Sequence, residues 1–174
     1  MSLRLIEQAG VGREDPIIDV GGGASHLVDS LLERGFRDLT VLDLAGSALA
    51  QAQARLGERA EAVTWIEADA TAWQPERHYR LWHDRAVFHF LTEPADRAAY
   101  LERLRAAVPA GSQVVIATFG PGGPERCSGL PVVRYTPEGL HETLGPGFGL
   151  QAVQTETHRT PAGTPQEFVG CLFR

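Results

Sequence analysis

The segment Pro16-Ile17-Ile18-Asp19-Val20-Gly21-Gly22-Gly23-Ala24-Ser25 constrains the fold more than any other part of the chain. A short apolar run closes on an acid, three glycines follow, and a helical pattern of apolar residues begins directly after them. This predicts a buried strand, a glycine turn and a helix N-terminus. Glycine has no Cβ and tolerates positive φ, so backbone and ligand can come close at such a turn. The helix end adds unpaired N–H groups and the positive end of the helix dipole. The combination suits a nucleotide-like cofactor.

The remaining pattern builds a sheet around that unit. A helix is predicted over 26–34, with Leu27, Val28, Leu31 and Leu32 on one face and Gly35 closing it. Further helices are expected over 3–9, 47–56 and 95–108, and strands over 39–43, 63–68, 79–83 and 114–118. The last of these is a continuous apolar run suited to a sheet centre. Residues 120–136, rich in Gly and Pro, read as a long loop. Thr136-Pro137-Glu138 then reads as an N-cap, a first-turn proline and an acid, opening a helix to Leu144. Two strands close the chain, 149–157 and 167–173, joined by a turn-rich stretch. The fold class expected is α/β: a doubly wound, seven-stranded, mostly parallel sheet with helices on both faces and an antiparallel last strand. With 174 residues, a single domain spanning 1–174 is expected.

Charge and cysteine usage narrow the partners. The net charge is −6 and lysine is absent, so no basic stripe exists to hold a nucleic acid. Cys127 and Cys171 form no CxxC and no zinc spacing, so no metal is expected. No apolar run reaches spanning length, and the N-terminal segment has no signal-peptide pattern. No membrane partner is expected, and cytoplasmic residence is the default. Nothing here sets the oligomeric state.

The order of motifs resembles the class I S-adenosylmethionine-dependent methyltransferases over nearly the whole chain. Asp19 to Ser25 is similar to that family's acidic, glycine-rich loop, with Ser25 in the place of the last glycine. Asp43, ending the second strand with Leu44 beside it, sits where the family's ribose-binding acid sits. Asp69-Ala70 resembles the adenine-contacting pair. Asp84-Arg85-Ala86, running on to Phe88 and His89, is similar to thiopurine-type small-molecule methyltransferases, and also to some protein-lysine methyltransferases. The resemblance implies S-adenosylmethionine as cofactor, bound by Asp19, Gly21, Gly22, Gly23, Ser25, Asp43, Leu44, Asp69, Ala70 and Asp84. It also implies that the last strand inserts between the strands 114–118 and 149–157.

Each position has a chemical reason. Asp43 can accept hydrogen bonds from both ribose hydroxyls, each charged bond contributing about 1.5–3 kcal/mol. Asp69 can accept from the adenine amino group while the Ala70 N–H donates to a ring nitrogen. A nicotinamide-dependent oxidoreductase would instead place a glycine at position 26, which is His26. In-line displacement at a sulfonium methyl needs alignment above all. Asp84 is the candidate to order the donor, and His83 or His89 to take an acceptor proton; a histidine on an apolar strand can equally be a hydrogen-bonded core residue. Arg85, Phe88 and Cys127 are the candidate acceptor contacts, with a small molecule as the expected acceptor and a protein side chain as the alternative. The family usually carries more chain before the first strand, often as a flap; here 16 residues precede Ile17. The site is accordingly expected to be open or closed by a partner subunit, or the chain to be a binder without turnover.

Overall fold

The computed structural model describes residues 1–160 and 163–174. Helix α1 (Ser2–Ala9) leads into β1 (Ile17–Val20), α2 (Leu27–Glu33), β2 (Leu39–Asp43), α3 (Gly46–Leu56) and β3 (Val63–Glu67). Then come β4 (Leu81–Arg85), α4 (Pro94–Ala107), β5 (Gln113–Phe119), β6 (Arg126–Cys127), β7 (Leu130–Pro131), α5 (Pro137–Leu144), β8 (Leu150–Arg159) and β9 (Pro165–Phe173). Seven strands form one sheet in the order β3-β2-β1-β4-β5-β9-β8. Strands β1 to β5 pair in parallel, and β9 runs antiparallel to both β5 and β8. The last strand thus inserts where it was expected. Strand β1 lies between β2 and β4, so the chain turns outward in both directions from it, which opens a crevice at the carboxyl ends.

Strand alternation splits the core into two layers. Ile18 and Val20 of β1 and Trp82 of β4 join Tyr100 and Leu104 of α4 and Leu140 and Leu144 of α5. Ile17 and Leu81 point the other way, to Leu5 and Ile6 of α1, Leu27, Val28 and Leu31 of α2, and Leu49 and Leu56 of α3. Trp82 is fully buried, and its indole N–H donates to the Tyr100 hydroxyl at 2.9 Å. Burying a large side chain of this kind contributes about 1.5–3 kcal/mol.

Two local readings need correction. The strand expected at 79–83 lies at Leu81–Arg85. Pairing begins only where Leu81 meets Ile17, and the Tyr79 N–H is taken by the Ala107 carbonyl at 2.8 Å. The expected loop 120–136 contains a hairpin, β6 against β7. Its turn residues Ser128 and Gly129 have φ of 51° and 82°, the paired left-handed conformations that a two-residue hairpin turn demands. At α5 the Thr136 side chain accepts from the Gly139 N–H, as the cap signature predicts.

Candidate active site

The three glycines are required by their neighbours. Gly21 has φ 72°, and a Cβ there would collide with Val87 of the loop after β4. A Cβ on Gly22 would strike the Asp19 carboxylate, and one on Gly23 would crowd Asp43 and Ala48. The turn is therefore packed from below by two acids and from the side by the β4 loop. On entering α2, Ser25 accepts the Leu27 N–H on its Oγ at 3.0 Å.

Two cavities open on this turn, of about 640 Å³ and about 710 Å³, and both are lined by Gly21 and Ala86. Ala86 has φ 69°, a left-handed conformation that costs a non-glycine residue about 1–2 kcal/mol. Its N–H donates to the Ala117 carbonyl at 2.9 Å, which holds it in place. Backbone strain kept in this way commonly marks a ligand site.

The smaller cavity, the β2–β3 half, is lined by Asp43, Leu44, Asp69 and Ala70, with Leu130 and Pro131 of β7 opposite. Asp43 accepts the Gly23 N–H at 2.9 Å and the Ala45 N–H at 2.8 Å. Each carboxylate oxygen keeps a second lone pair, so two further donors can be accepted. Asp69 accepts both the N–H and the hydroxyl of Thr71 on Oδ1, at 2.8 and 2.7 Å. Its Oδ2 makes no hydrogen bond among the described residues. This arrangement fits a ribose and a flat base: fixed acceptors over an apolar floor.

The larger cavity, the β4 half, is lined by Asp19, Gly22, Ser25, His83 and Arg85, together with His158, Gln166 and Phe168 from the last hairpin. Asp19 and His83 face each other across adjacent strands. The His83 Nδ1 lies 2.7 Å from Asp19 Oδ1, and both residues are buried. Arg85 lies over the Phe168 ring at 4.7 Å and donates weakly to Glu156 at 3.4 Å.

Five expected site residues line neither cavity: Gly23, whose N–H is taken by Asp43, and four that lie further off. Asp84 is completely buried on the α4 face, because it alternates with His83 along β4. It accepts from Val87 N–H at 3.0 Å, Phe88 N–H at 3.1 Å and the Tyr100 hydroxyl at 2.5 Å. Burial pushes its carboxyl up to about 6 and raises the Tyr100 hydroxyl as well. Asp84 thus pins the turn that carries Ala86 and lines neither cavity. Phe88 packs at 5.1 Å from the Tyr100 ring and is fully buried. His89 is sandwiched with Phe90 and Phe119, at 4.6 and 4.7 Å, and burial pushes it down to about 4. Cys127 sits in the hairpin and lines neither cavity, although its pairing partner Leu130 does.

The sequence analysis does not single out His158, Gln166, Phe168 or Thr71. Only strand order carries the last hairpin to the crevice, and no local motif marks it. Among the described residues no group of three or more His, Cys, Asp or Glu is arranged to hold a metal, and no helix is long and apolar enough to cross a membrane.

The family described as a methyltransferase domain matches residues 17–111, more than half of the chain. A search of curated protein sequences finds no match. Among solved structures, the chain is similar to the N-methyltransferase NodS from Bradyrhizobium japonicum, with TM-score 0.76 and 14% identity, covering 99% of this chain and 92% of that one. It is similar to the 1,6-didemethyltoxoflavin N1-methyltransferase of Burkholderia thailandensis, with TM-score 0.75 and 22% identity over 99% of this chain and 75% of that one. The glycopeptide N-methyltransferase MtfA, complexed with S-adenosylhomocysteine, gives TM-score 0.73 and 16% identity over 99% and 87%.

Proposed function

The chain belongs to the methyltransferase-domain family, and from that membership we propose that it moves a methyl group from S-adenosylmethionine to a small-molecule acceptor. The observation that carries this reading is the cleft divided at Gly21 and Ala86. The β2–β3 half takes the adenosine, with the ribose on Asp43 and the base between Asp69-Ala70 and the apolar wall that includes Leu44. The glycine turn and Ser25 receive the amino-acid end. The β4 half, about 710 Å³ and lined by Ser25 and the glycine turn as well, has room for that amino-acid end and, beside it, a small acceptor. Arg85, steadied on Phe168, is placed there to meet a carboxylate.

Bound S-adenosylmethionine supplies a methyl group on a positively charged sulfur, already reactive toward a nucleophile. The chain has to hold the two reactants in line and keep water out, and alignment alone can contribute about 7–11 kcal/mol. The three structural neighbours described above are named N-methyltransferases, so nitrogen is the acceptor atom we favour.

Calorimetry with S-adenosylhomocysteine tests the donor site. The native protein should bind it and gain melting temperature by linkage, with no response to NADH. Asp43→Ala should weaken binding about 10- to 100-fold, the equivalent of a lost charged hydrogen bond. No binding by the native protein, or a response to NADH alone, would reject the reading.

A further inference from the structure

Three buried polar atoms of residues lining the β4 half have no hydrogen-bond partner among the described residues, Ser2 Oγ, His83 Nε2 and Asp19 Oδ2, and the last two belong to one bonded pair. A buried unsatisfied atom in a native fold calls for an occupant, a water or a ligand. The geometry favours one tautomer of the ring. A carboxylate can only accept, so against an ionised Asp19 the 2.7 Å bond takes its hydrogen from Nδ1. Nε2 of the neutral ring then carries a lone pair, on a residue that lines the acceptor cavity. Gly22 admits the arrangement, because any side chain there would displace the Asp19 carboxylate.

His89 provides the contrast. Its Nε2 is also buried and unpartnered, but it lines neither cavity. Among the described residues only His83 combines an orphan nitrogen, an acid behind the ring and a wall of the cleft.

We propose that His83 is the general base of methyl transfer and Asp19 its positioning residue, so that the acceptor is a protic nucleophile, an N–H or O–H group that must lose a proton as it is methylated. This rests on the methyl-transfer reading above. The acceptor atom forms its bond to the methyl carbon while the carbon–sulfur bond breaks with its electron pair left on sulfur. The acceptor proton passes to His83 Nε2, and the positive charge of the sulfonium ends on an imidazolium whose Nδ1–H remains on Asp19. The other charged or titratable groups of that cavity are Arg85 on the same strand, His26 before α2, His158 on β8 and the Met1 ammonium, with Glu156 paired to both Met1 and Arg85 and Asp84 on the far face of β4. A base in this role contributes about 10²- to 10⁴-fold to the rate.

The test reads the imidazole directly by nitrogen NMR on histidine-labelled protein, with the His83 signals identified by their loss in His83→Gln. At neutral pH, with S-adenosylhomocysteine bound, His83 should be protonated on Nδ1 and bare on Nε2. Asp19→Ala should lose that single tautomer. In the native protein, S-adenosylmethionine in place of S-adenosylhomocysteine should lower the pH at which Nε2 protonates by about one unit, because a nearby sulfonium opposes a second positive charge. A tautomer protonated on Nε2, or coincident titrations in the two complexes, would overturn the proposal while leaving the donor site standing. A native protein that binds neither nucleoside in calorimetry would remove the methyl-transfer reading, and the base with it.

Discussion

The β2–β3 half of the cleft takes its acids from strand ends and the turns directly after them, whereas the β4 half draws Asp19, His83, His158 and Gln166 from four different strands. In the first half the acids are already tied to backbone or neighbouring groups, Asp43 to Gly23 and Ala45, Asp69 to Thr71. Its rim carries two exposed leucines, Leu44 at 71% and Leu130 at 59%. In the second half the polar residues bond each other and leave atoms over. The difference matches the two tasks proposed for the halves. Holding a large nucleoside needs fixed acceptors and apolar cover, which short turns supply. Moving a proton needs a group held at one atom and free at another, which takes a second residue behind it.

The two halves share the turn at Ala86, and the acid beneath it gives the sharpest way to break the comparison. Asp84→Ala leaves two backbone N–H groups and the Tyr100 hydroxyl without their acceptor. Stability measured by urea denaturation should fall by about 1–3 kcal/mol, the cost of buried donors left without an acceptor, and the melting temperature by about 5 °C or more. A variant as stable as the native protein would show that Asp84 is not the support of that turn and return it to the ligand-facing groups.

The dependence of stability on pH separates the two buried titrating groups that line neither half. Asp84 has a folded value of about 6 against an ordinary 3.8, so the fold binds its proton more tightly than the unfolded chain does. Its contribution is full below pH 3.8 and is lost as pH rises to about 6. His89 has a folded value of about 4 against 6.5, so its contribution is full above pH 6.5 and is lost as pH falls to about 4. Between pH 4 and 6 the two slopes, each about 1.4 kcal/mol per pH unit, oppose and cancel. Their removal should uncover one slope at a time. In His89→Gln stability should decline with rising pH across this window, and in Asp84→Asn it should climb. Denaturation midpoints measured from pH 4 to 6.5 in both variants decide it, and parallel curves would mean that neither group is held as described.

The smallest effect belongs to the rim. Leu130→Ser removes part of the apolar cover of the β2–β3 half and should lower the affinity for S-adenosylhomocysteine about 2- to 5-fold, from partial loss of buried area. The His83 tautomer should stay as it is. A change at His83 would mean that the two halves are coupled through the hairpin.

The strand–glycine–helix unit was legible because its signals are local: an apolar run, three small residues and a periodic face lie within a few turns of chain. Asp43 and Asp69 were legible for the same reason, each marking the end of a strand. The hairpin β6–β7 was not, since its two-residue strands are too short to show any alternation. The segment His83 to His89 divides in the same way. As sequence, Asp84, His83, Phe88 and His89 are all near the end of the fourth strand and equally eligible for the site.

The amino-acid sequence by itself determined the order of elements, the glycine turn and the acids at the strand ends, because each depends on contacts within a short stretch of backbone. Which side chains meet was decided only in three dimensions. Alternation sends His83 and Asp84 to opposite faces of one sheet, but the helices that cover each face and the strand that lies beside β4 are set by packing across the whole chain. Burial under α4 makes Asp84 a support, and the neighbouring β1 gives His83 its acid.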